Sequence, residues 1–244
     1  MPSGGAAPIV VLTGAGISAE SGLATFRGAG GLWEGHRVEQ VATPGAFSRD
    51  PTLVHRFYNA RRRGLLDPAV RPNAAHAALA RLEREWPGEF LLVTQNVDDL
   101  HDRAGSRRLI HMHGELLRAL CRACGGSAGW RDDMGLHSAC PGCGVAGRLR
   151  PDIVWFGEMP YRTDEIGEAL ARCGLFVAVG TSGQVYPAAG FVREARAAGA
   201  RTVELNLEPS TASAAFDERR YGPATALVPD LVGELLAPYG HNVG

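Results

Sequence analysis

Lysine is absent from this sequence, and all 25 of its basic residues are arginine. The formal net charge is −1, so the bulk charge predicts no attraction to nucleic acid or to a membrane surface. The sequence also lacks an apolar run long enough to span a bilayer, and its N-terminal segment lacks the basic residues that begin a signal peptide. These absences predict a cytoplasmic protein.

Short apolar runs alternate with helical patterns along the chain. The 244 residues, 45% of them hydrophobic, suffice for one large domain with a small appendage. Helical periodicity at residues 73–85 and 188–198 separates runs that predict strands buried on both faces. The pattern favours an α/β fold with a Rossmann-like, doubly wound parallel sheet. The predicted strands are residues 9–12, 90–94, 109–111, 176–179, 202–206 and 226–228.

Two stretches interrupt this alternation. One is long, rich in arginine and helical in parts, and the other is short, rich in glycine and cysteine, and without a core of its own. We therefore predict a Rossmann-like domain made of residues 1–28, 73–114 and 151–244, and a small lobe made of residues 29–72 and 115–150. The cleft between two such units is the expected place for ligands.

A glycine motif follows the first predicted strand, with Gly14 and Gly16 at its first two positions and Ala19 at the third. Such glycines let backbone N–H groups approach a pyrophosphate, although a tight structural turn explains the same spacing. The acidic residue that closes the second strand in a dehydrogenase is not apparent, and the segment TFRG follows instead. The motif therefore predicts a dinucleotide site that is not that of an ordinary dehydrogenase.

Four of the five cysteines form two C-x-x-C pairs, Cys121 with Cys124 and Cys140 with Cys143, and 15 residues separate the pairs. Four thiolates at this spacing indicate a tetrahedral zinc site with no open position, so we expect one structural zinc ion. A nucleic-acid-binding zinc ribbon is disfavoured, because the intervening loop carries two aspartates beside its single arginine. The fifth, Cys173, lies in an apolar stretch and is expected to be a small buried side chain.

Six motifs in a fixed order make the chain resemble the sirtuin family over almost its whole length. They are GAGISAESGLATFRG at residues 14–28, TQNVDDLH at 94–101, HMHGEL at 111–116, the four paired cysteines, GTS at 180–182 and NLE at 206–208. The resemblance, which is to a short bacterial sirtuin, implies an NAD-dependent deacylase that transfers the acyl group of an acyl-lysine to ADP-ribose and releases nicotinamide. Because the chain has no lysine, its substrates are expected to be acylated lysines of other proteins. The oligomeric state stays open, with a monomer expected.

The resemblance also assigns the catalytic residues. His113 is the general base for the ribose hydroxyls, a task that suits a neutral imidazole near pH 7, and His111 is expected to be structural. Gln95 and Asn96 are assigned to the nicotinamide ribose and its ordered water, with Asn96 counted among the catalytic residues. Asp98 is assigned to the carboxamide end, although an aspartate there could merely cap the next helix.

The other binding residues rest on the resemblance, and ordinary turn or apolar loop residues are the alternative. The remaining NAD contacts are Gly14, Ala15, Gly16, Ala19, Thr25, Phe26 and Arg27 in the glycine motif, then Gly180, Thr181 and Ser182, and finally Asn206, Glu208 and Ala224 for adenosine. The segment at 151–158 resembles the family's peptide-docking stretch, where a substrate adds as a strand. Its predicted substrate contacts are Val154, Phe156, Gly157 and Glu158.

Tyr58 and Arg61 are three residues apart and share one face of a predicted helix. A phenol and a guanidinium in an apolar tunnel suit a carboxylate, and the pair resembles that of the desuccinylase and demalonylase branch of the sirtuins, class III. The alternative, a packed tyrosine beside a solvated arginine run, stays open for Arg62 and Arg63. We therefore expect desuccinylase and demalonylase activity with some deacetylase activity.

Three other functions remain as alternatives. The first is a deacylase directed mainly at acetyl groups, and the second is an NAD-dependent ADP-ribosyltransferase. The third is a non-catalytic module that binds NAD or nucleic acid.

Overall fold

The computed structural model describes residues 6–24, 32–33 and 36–239. The strands in this part of the chain are β1 (Ile9–Thr13), β2 (Leu32–Trp33), β3 (His36–Arg37), β4 (Phe90–Thr94), β5 (Leu109–His111), β6 (Gly114–Cys121), β7 (Ser127–Gly129), β8 (Leu149–Ile153), β9 (Leu175–Val179), β10 (Arg201–Asn206) and β11 (Glu218–Tyr221). The α-helices are α1 (Val38–Val41), α2 (Pro44–Arg49), α3 (Pro51–Leu65), α4 (Ala74–Glu85), α5 (Leu100–Ala104), α6 (Thr163–Leu170), α7 (Phe191–Ala197) and α8 (Ala224–Leu236). None of the helices described is long and apolar enough to cross a membrane.

The main sheet has six parallel strands in the order β11-β10-β9-β1-β4-β5. Strand β1 therefore lies between β4 and β9. The chain places β4 and β5 on one side of β1 and then β9, β10 and β11 on the other, so the strand order reverses at β1. Ligands of such sheets bind at this reversal, beyond the carboxyl ends of the strands. The predicted doubly wound, Rossmann-like parallel sheet is confirmed.

The core explains why the central strands are continuous apolar runs. All five residues of β1 are buried, and successive side chains enter opposite cores. Ile9 and Val11 pack with apolar residues of α4 and α8, whereas Val10 and Leu12 pack with those of α6 and α7. Helices thus cover both faces of the sheet, which leaves its carboxyl edge as the open end.

Local sequence signals set the starts of the two longest helices that precede β4. The Asp50 carboxylate accepts a hydrogen bond from the Leu53 N–H at 2.9 Å, and Pro51 occupies the first turn of α3. The Asn73 side chain accepts from the Ala75 N–H at 2.9 Å and caps α4. The helix begins where the helical periodicity of residues 73–85 predicts, and its apolar residues pack on the main sheet.

The strand prediction for residues 226–228 is wrong, since these residues belong to α8. Val228, Leu231 and Val232 are buried at helical spacing on one side of the sheet, so the apolar run serves one face of a helix. The last strand, β11, was missed because its sequence ERRY is charged and carries no apolar alternation. It lies at the edge of the sheet, where charged side chains remain in solvent.

The two interrupting stretches form helices and a second, smaller sheet. Helices α1, α2 and α3 bury Val41, Phe47 and Phe57 in a separate cluster, and β7, β6 and β8 form an antiparallel sheet of three strands. Residues 151–153 of β8 pair with β6, although the predicted division gives them to the larger domain. The domain boundaries stay a prediction.

The arginine run on α3 is solvated only in part, and the solvated alternative holds for Arg63 but not for Arg62. The Arg63 side chain is exposed and forms an ion pair with Asp133. Arg62, in contrast, is 1% exposed and donates hydrogen bonds to the Leu116 carbonyl oxygen at 3.1 Å and to the Asn59 side-chain oxygen at 2.7 Å. The solvated reading of Arg62 is therefore wrong, because its guanidinium joins α3 to β6 from inside the protein.

Candidate active site

The glycine motif packs directly against the loop that follows β9. A β-carbon at Gly14 would lie 2.7 Å from the Gly180 carbonyl oxygen, and one at Gly16 would lie 2.6 Å from the Gly180 Cα. Gly180 itself has a φ of 62°, in the left-handed region that favours glycine. The Gly16 N–H donates to the Gly180 oxygen at 3.0 Å. Both loops thus meet at the reversal point of the sheet, with backbone rather than side chains at their contact.

The predicted nicotinamide-end residues lie at the carboxyl end of β4, next to this contact. Asn96 is buried, and its side-chain N–H groups donate to the Gly14 carbonyl oxygen at 3.1 Å and to the Ser18 hydroxyl at 3.2 Å. The Ser18 hydroxyl donates in turn to Asp98 at 3.1 Å. Burial raises the pKa of the Asp98 carboxyl, and its hydrogen bonds with the Leu100 N–H and Ser18 oppose this only in part. Asn96 and Asp98 therefore share one buried network.

His113 lies just after β5 and contacts Gln95, the residue that precedes Asn96. Its Nδ1 is 3.1 Å from the Gln95 carbonyl oxygen. Since a carbonyl can only accept, Nδ1 carries the proton and Nε2 keeps its lone pair. Burial lowers the pKa of His113, and the bond to Gln95 offsets this only partly. The side chain is thus a neutral imidazole near pH 7, which is the state that a general base requires.

His111 lies two residues before His113 and has a different environment. Its Nε2 is 3.0 Å from the Asp102 carboxylate. Burial lowers the pKa of His111, but the hydrogen bond and the charge of Asp102 outweigh burial, so the pKa lies above its usual value. A raised pKa leaves less of the neutral imidazole available to accept a proton near pH 7, which agrees with the structural role expected for His111.

The predicted adenosine-end residues follow β9 and β10. The Asn206 side chain donates to the Thr181 carbonyl oxygen at 2.8 Å and so joins the two loops. Glu208 is exposed, and Ala224 opens α8. Beside Ala224, Thr225 donates to the Glu20 carboxylate from its N–H at 3.1 Å and from its hydroxyl at 2.6 Å. The end of the glycine motif is thereby tied to the start of α8.

Tyr58 and Arg61 occupy the inner side of α3. The Tyr58 ring is fully buried, and its hydroxyl accepts a hydrogen bond from the Trp155 indole N–H at 3.0 Å. The Arg61 guanidinium lies 5.7 Å from the centre of the Phe57 ring. Burial raises the pKa of the Tyr58 phenol, and the charge of Arg61 opposes that rise. The phenol therefore remains protonated, with a guanidinium charge acting on it.

The predicted peptide-docking segment is held at several points. The Val154 N–H donates to the His113 carbonyl oxygen at 2.9 Å, which places this segment beside the predicted base. Phe156 is 46% exposed, and Gly157 has a φ of 92° at the turn that follows. The Glu158 carboxylate is engaged within the protein, since it accepts two hydrogen bonds from Arg150, at 2.6 and 2.8 Å.

The four paired cysteines converge in the small lobe. Their sulfur atoms all lie within 4.8 Å of one another, with 3.8 Å between Cys121 and Cys143 and 3.9 Å between Cys124 and Cys140. Tetrahedral zinc with Zn–S bonds of about 2.3 Å requires sulfurs about 3.8 Å apart. A glycine with positive φ follows each pair, at Gly125 and Gly144. The donor set therefore fits a closed structural zinc site.

Three predicted residues lie outside the part of the chain that the structure describes, and two residues of the buried network were not predicted. The predicted NAD contacts Thr25, Phe26 and Arg27 lie outside the described residues. Sequence reasoning gave no role to Ser18, which joins Asn96 to Asp98 although it stands within the quoted glycine motif. It also missed His76, whose Nε2 is 3.3 Å from the Ser18 hydroxyl. A histidine on the apolar face of a predicted helix was the available signal.

Comparison with known proteins decides the family. The model of the Sir2 family matches residues 14–187. The chain belongs to the Sir2 family. This Sir2 protein is similar to an NAD-dependent protein deacylase of Salmonella typhimurium, with 58% identity over 228 residues that cover 93% of this chain and 84% of the relative. A deacylase of Trypanosoma brucei brucei is 59% identical over 231 residues, covering 93% and 94%.

Solved Sir2 structures agree with the fold. A Sir2 homologue in complex with NAD has a TM-score of 0.85 at 38% identity, covering 95% of this chain and 90% of that one. A Sir2 homologue in complex with ADP-ribose has a TM-score of 0.87 at 36% identity, covering 97% and 95%. The sirtuin resemblance is confirmed, and this Sir2 protein is an NAD-dependent protein deacylase.

Proposed function

We propose that this deacylase prefers lysines that carry acidic acyl groups, succinyl and malonyl, and also removes acetyl groups. The observation that carries the proposal is the pairing of Tyr58 with Arg61 on the buried side of α3. The phenol is kept protonated and so can donate a hydrogen bond, and the guanidinium supplies a positive charge beside it. A carboxylate in that position is bound by a charge-assisted hydrogen bond, whereas an acetyl methyl group gains nothing there.

His113 serves as the general base in the proposed reaction. Its Nε2 lone pair takes the proton from the ribose hydroxyls, while the Gln95 carbonyl oxygen holds the proton on Nδ1. Asn96, fixed by Gly14 and Ser18, orients the nicotinamide ribose and its water, and Asp98 contacts the carboxamide end. NAD supplies the ribose carbon that receives the acyl oxygen when nicotinamide leaves.

Backbone groups of the two glycine loops hold the phosphates in this proposal. The contact between Gly16 and Gly180 leaves no room for β-carbons, so the two loops meet closely at the edge of the sheet where the phosphates are expected. Asn206, Glu208 and Ala224 bind adenosine, and the segment with Val154 and Phe156 receives the peptide as an added strand. The other assigned contacts are Ala15, Ala19, Thr25, Phe26, Arg27, Thr181, Ser182, Gly157 and Glu158.

We further infer that the protein acts in the cytoplasm as a monomer, on acylated lysines of other proteins and without binding nucleic acid or membranes. The near-neutral net charge of −1 supports this, and so does the complete absence of lysine from the chain.

The acyl preference is tested by comparing kcat/KM for succinyl and acetyl versions of one peptide. Arg61→Met is expected to lower kcat/KM for the succinyl peptide by about 10-fold or more, the usual worth of a charge-assisted hydrogen bond. Arg63→Met is the matched control, because that arginine is exposed and pairs with Asp133 outside the site. A succinyl rate that survives Arg61→Met would show that Arg61 does not bind the acyl carboxylate.

A further inference from the structure

Trp155 packs against Tyr58, one of the two residues that are proposed to bind the acyl carboxylate. Its side chain is 2% exposed, and its ring packs 5.3 Å from Phe47 and 6.3 Å from Tyr58, measured between ring centres. The indole Nε1 is 3.0 Å from the Tyr58 hydroxyl oxygen. An indole N–H only donates, so the Tyr58 oxygen is the acceptor in this bond. The hydroxyl proton of Tyr58 must therefore be directed at a partner other than Trp155.

The Trp155 ring is itself held by a charged pair. The Arg150 guanidinium lies 3.5 Å from the centre of the Trp155 ring, a close cation–π contact. Both terminal nitrogens of Arg150 bind the Glu158 carboxylate, at 2.6 and 2.8 Å, and Glu158 also accepts from the Trp155 backbone N–H at 2.8 Å. Arg150 donates further to the Ile153 carbonyl oxygen at 2.6 Å. These bonds restrict both the backbone and the ring of Trp155.

The residues on either side of Trp155 connect it to the rest of the site. Val154 donates from its backbone to the carbonyl oxygen of His113 at 2.9 Å, and Phe156 donates to that of Ala42 at 3.0 Å. Trp155 is therefore anchored between the predicted base and the helical part of the small lobe. A ring held in this way can fix the direction of the Tyr58 hydroxyl relative to the acyl chain.

We infer that Trp155 is a positioning residue for acyl specificity: its indole N–H orients the Tyr58 hydroxyl toward the carboxylate of a succinyl or malonyl group. The inference rests on the proposed preference for acidic acyl groups. Donation into the Tyr58 oxygen also polarises its O–H bond, which strengthens the bond that Tyr58 donates. Because an acetyl group has no carboxylate, the effect belongs to acidic acyl groups alone.

The test is a comparison of Trp155→Phe with the wild type. Phenylalanine keeps an aromatic ring in the core and removes the N–H. We expect KM for the succinyl peptide to rise by about 3- to 10-fold with little change in kcat, since one neutral hydrogen bond is lost. The acetyl peptide should keep its kcat/KM within about twofold.

Trp86→Phe is the matched control, because the Trp86 indole donates instead to the Ala7 carbonyl oxygen, at 3.1 Å, away from the site. It should leave the ratio of succinyl to acetyl kcat/KM unchanged. If Trp155→Phe does not fold, Arg150→Lys is the second variant. It keeps the charge but loses the paired bonds to Glu158, and it should lower the same ratio.

A double-mutant cycle with Tyr58→Phe separates positioning from a general structural role. If Trp155 acts through Tyr58, adding Trp155→Phe to Tyr58→Phe lowers the ratio no further. An equal loss of succinyl and acetyl rates, or effects that simply add, would overturn the inference. If Tyr58→Phe and Arg61→Met both leave the ratio unchanged, the proposed acyl preference fails first. If they lower it and Trp155→Phe does not, only the role of Trp155 is refuted.

Discussion

A single backbone contact decides the chemical state of His113. The Gln95 carbonyl oxygen takes the Nδ1 proton, and burial disfavours a second proton on the ring, so Nε2 is left as a base. Sequence alone could select this histidine by its motif, but it could not show the tautomer. Nor could it show that Ser18 joins Asn96 to Asp98, because Ser18 follows β1 whereas Asn96 and Asp98 follow β4, and these two segments meet only in the folded protein.

The pH dependence of the reaction follows from this environment. Because the pKa of His113 lies below the usual 6.5, the base stays deprotonated down to that pH, and kcat/KM should fall only in more acidic solution. A profile of kcat/KM between about pH 5 and pH 9 measures it. His113→Asn should lower kcat by about 100-fold or more while the protein remains folded by circular dichroism. An acid limb centred above pH 7 would contradict the assignment.

Helix α3 combines recognition with support. Tyr58 and Arg61 serve the proposed acyl site, and the next residue, Arg62, bonds to Leu116 and Asn59 inside the protein. Helical periodicity predicts which residues share a face, but three successive arginines look alike in sequence. Only the arrangement of β6 beside α3 shows that one of the three is buried.

Arg62→Met should therefore destabilise the fold. The substitution keeps much of the side-chain volume but leaves the Leu116 carbonyl oxygen and the Asn59 side-chain oxygen without this donor. We expect the free energy of unfolding to fall by about 1–3 kcal/mol, measured by urea denaturation. Arg63→Met, whose side chain is exposed, should change it by less than about 0.5 kcal/mol. Equal effects of the two substitutions would show that burial of Arg62 does not matter for stability.

Elements were predictable where the apolar pattern is strong. Strands β1 and β4 and helix α4 follow from continuous apolar runs and from a capped helical period. The end of the chain was harder, because β11 is a charged edge strand and α8 begins with an apolar run that resembles a strand. The assembled fold decides that one of these segments becomes the edge strand of the main sheet and that the other becomes a helix covering one face of it.

Burial lowers the pKa of several histidines in the described part of the molecule. Burial lowers the pKa of His76 to about 4 and that of His55 to about 4, and it lowers that of His101 as well. The pKa of His111, in contrast, is raised through Asp102. Below about pH 6.5 the unfolded chain binds protons that the folded one refuses at these three histidines and at His113, so acid should favour unfolding. His111 acts in the opposite sense at one site.

The free energy of unfolding should therefore be steady above about pH 7 and should decrease by about 1.4 kcal/mol per pH unit for each of these histidines between about pH 6 and pH 4.5. Urea denaturation across this range measures it. Protonation of the zinc-binding cysteines would act in the same direction. His76→Asn is therefore compared with the wild type and should show a shallower decrease. Identical slopes would mean that His76 does not contribute.

The contact between Gly16 and Gly180 has a consequence for how this fold can be altered. Each loop occupies the space in which a side chain of the other would lie. A β-carbon added at Gly14, Gly16 or Gly180 would lie 2.5 to 2.7 Å from the facing backbone, so none of the three positions tolerates one. A loop grafted from an unrelated nucleotide-binding protein would collide with its resident counterpart. Any transplant at this edge must carry both loops together, as one inherited module.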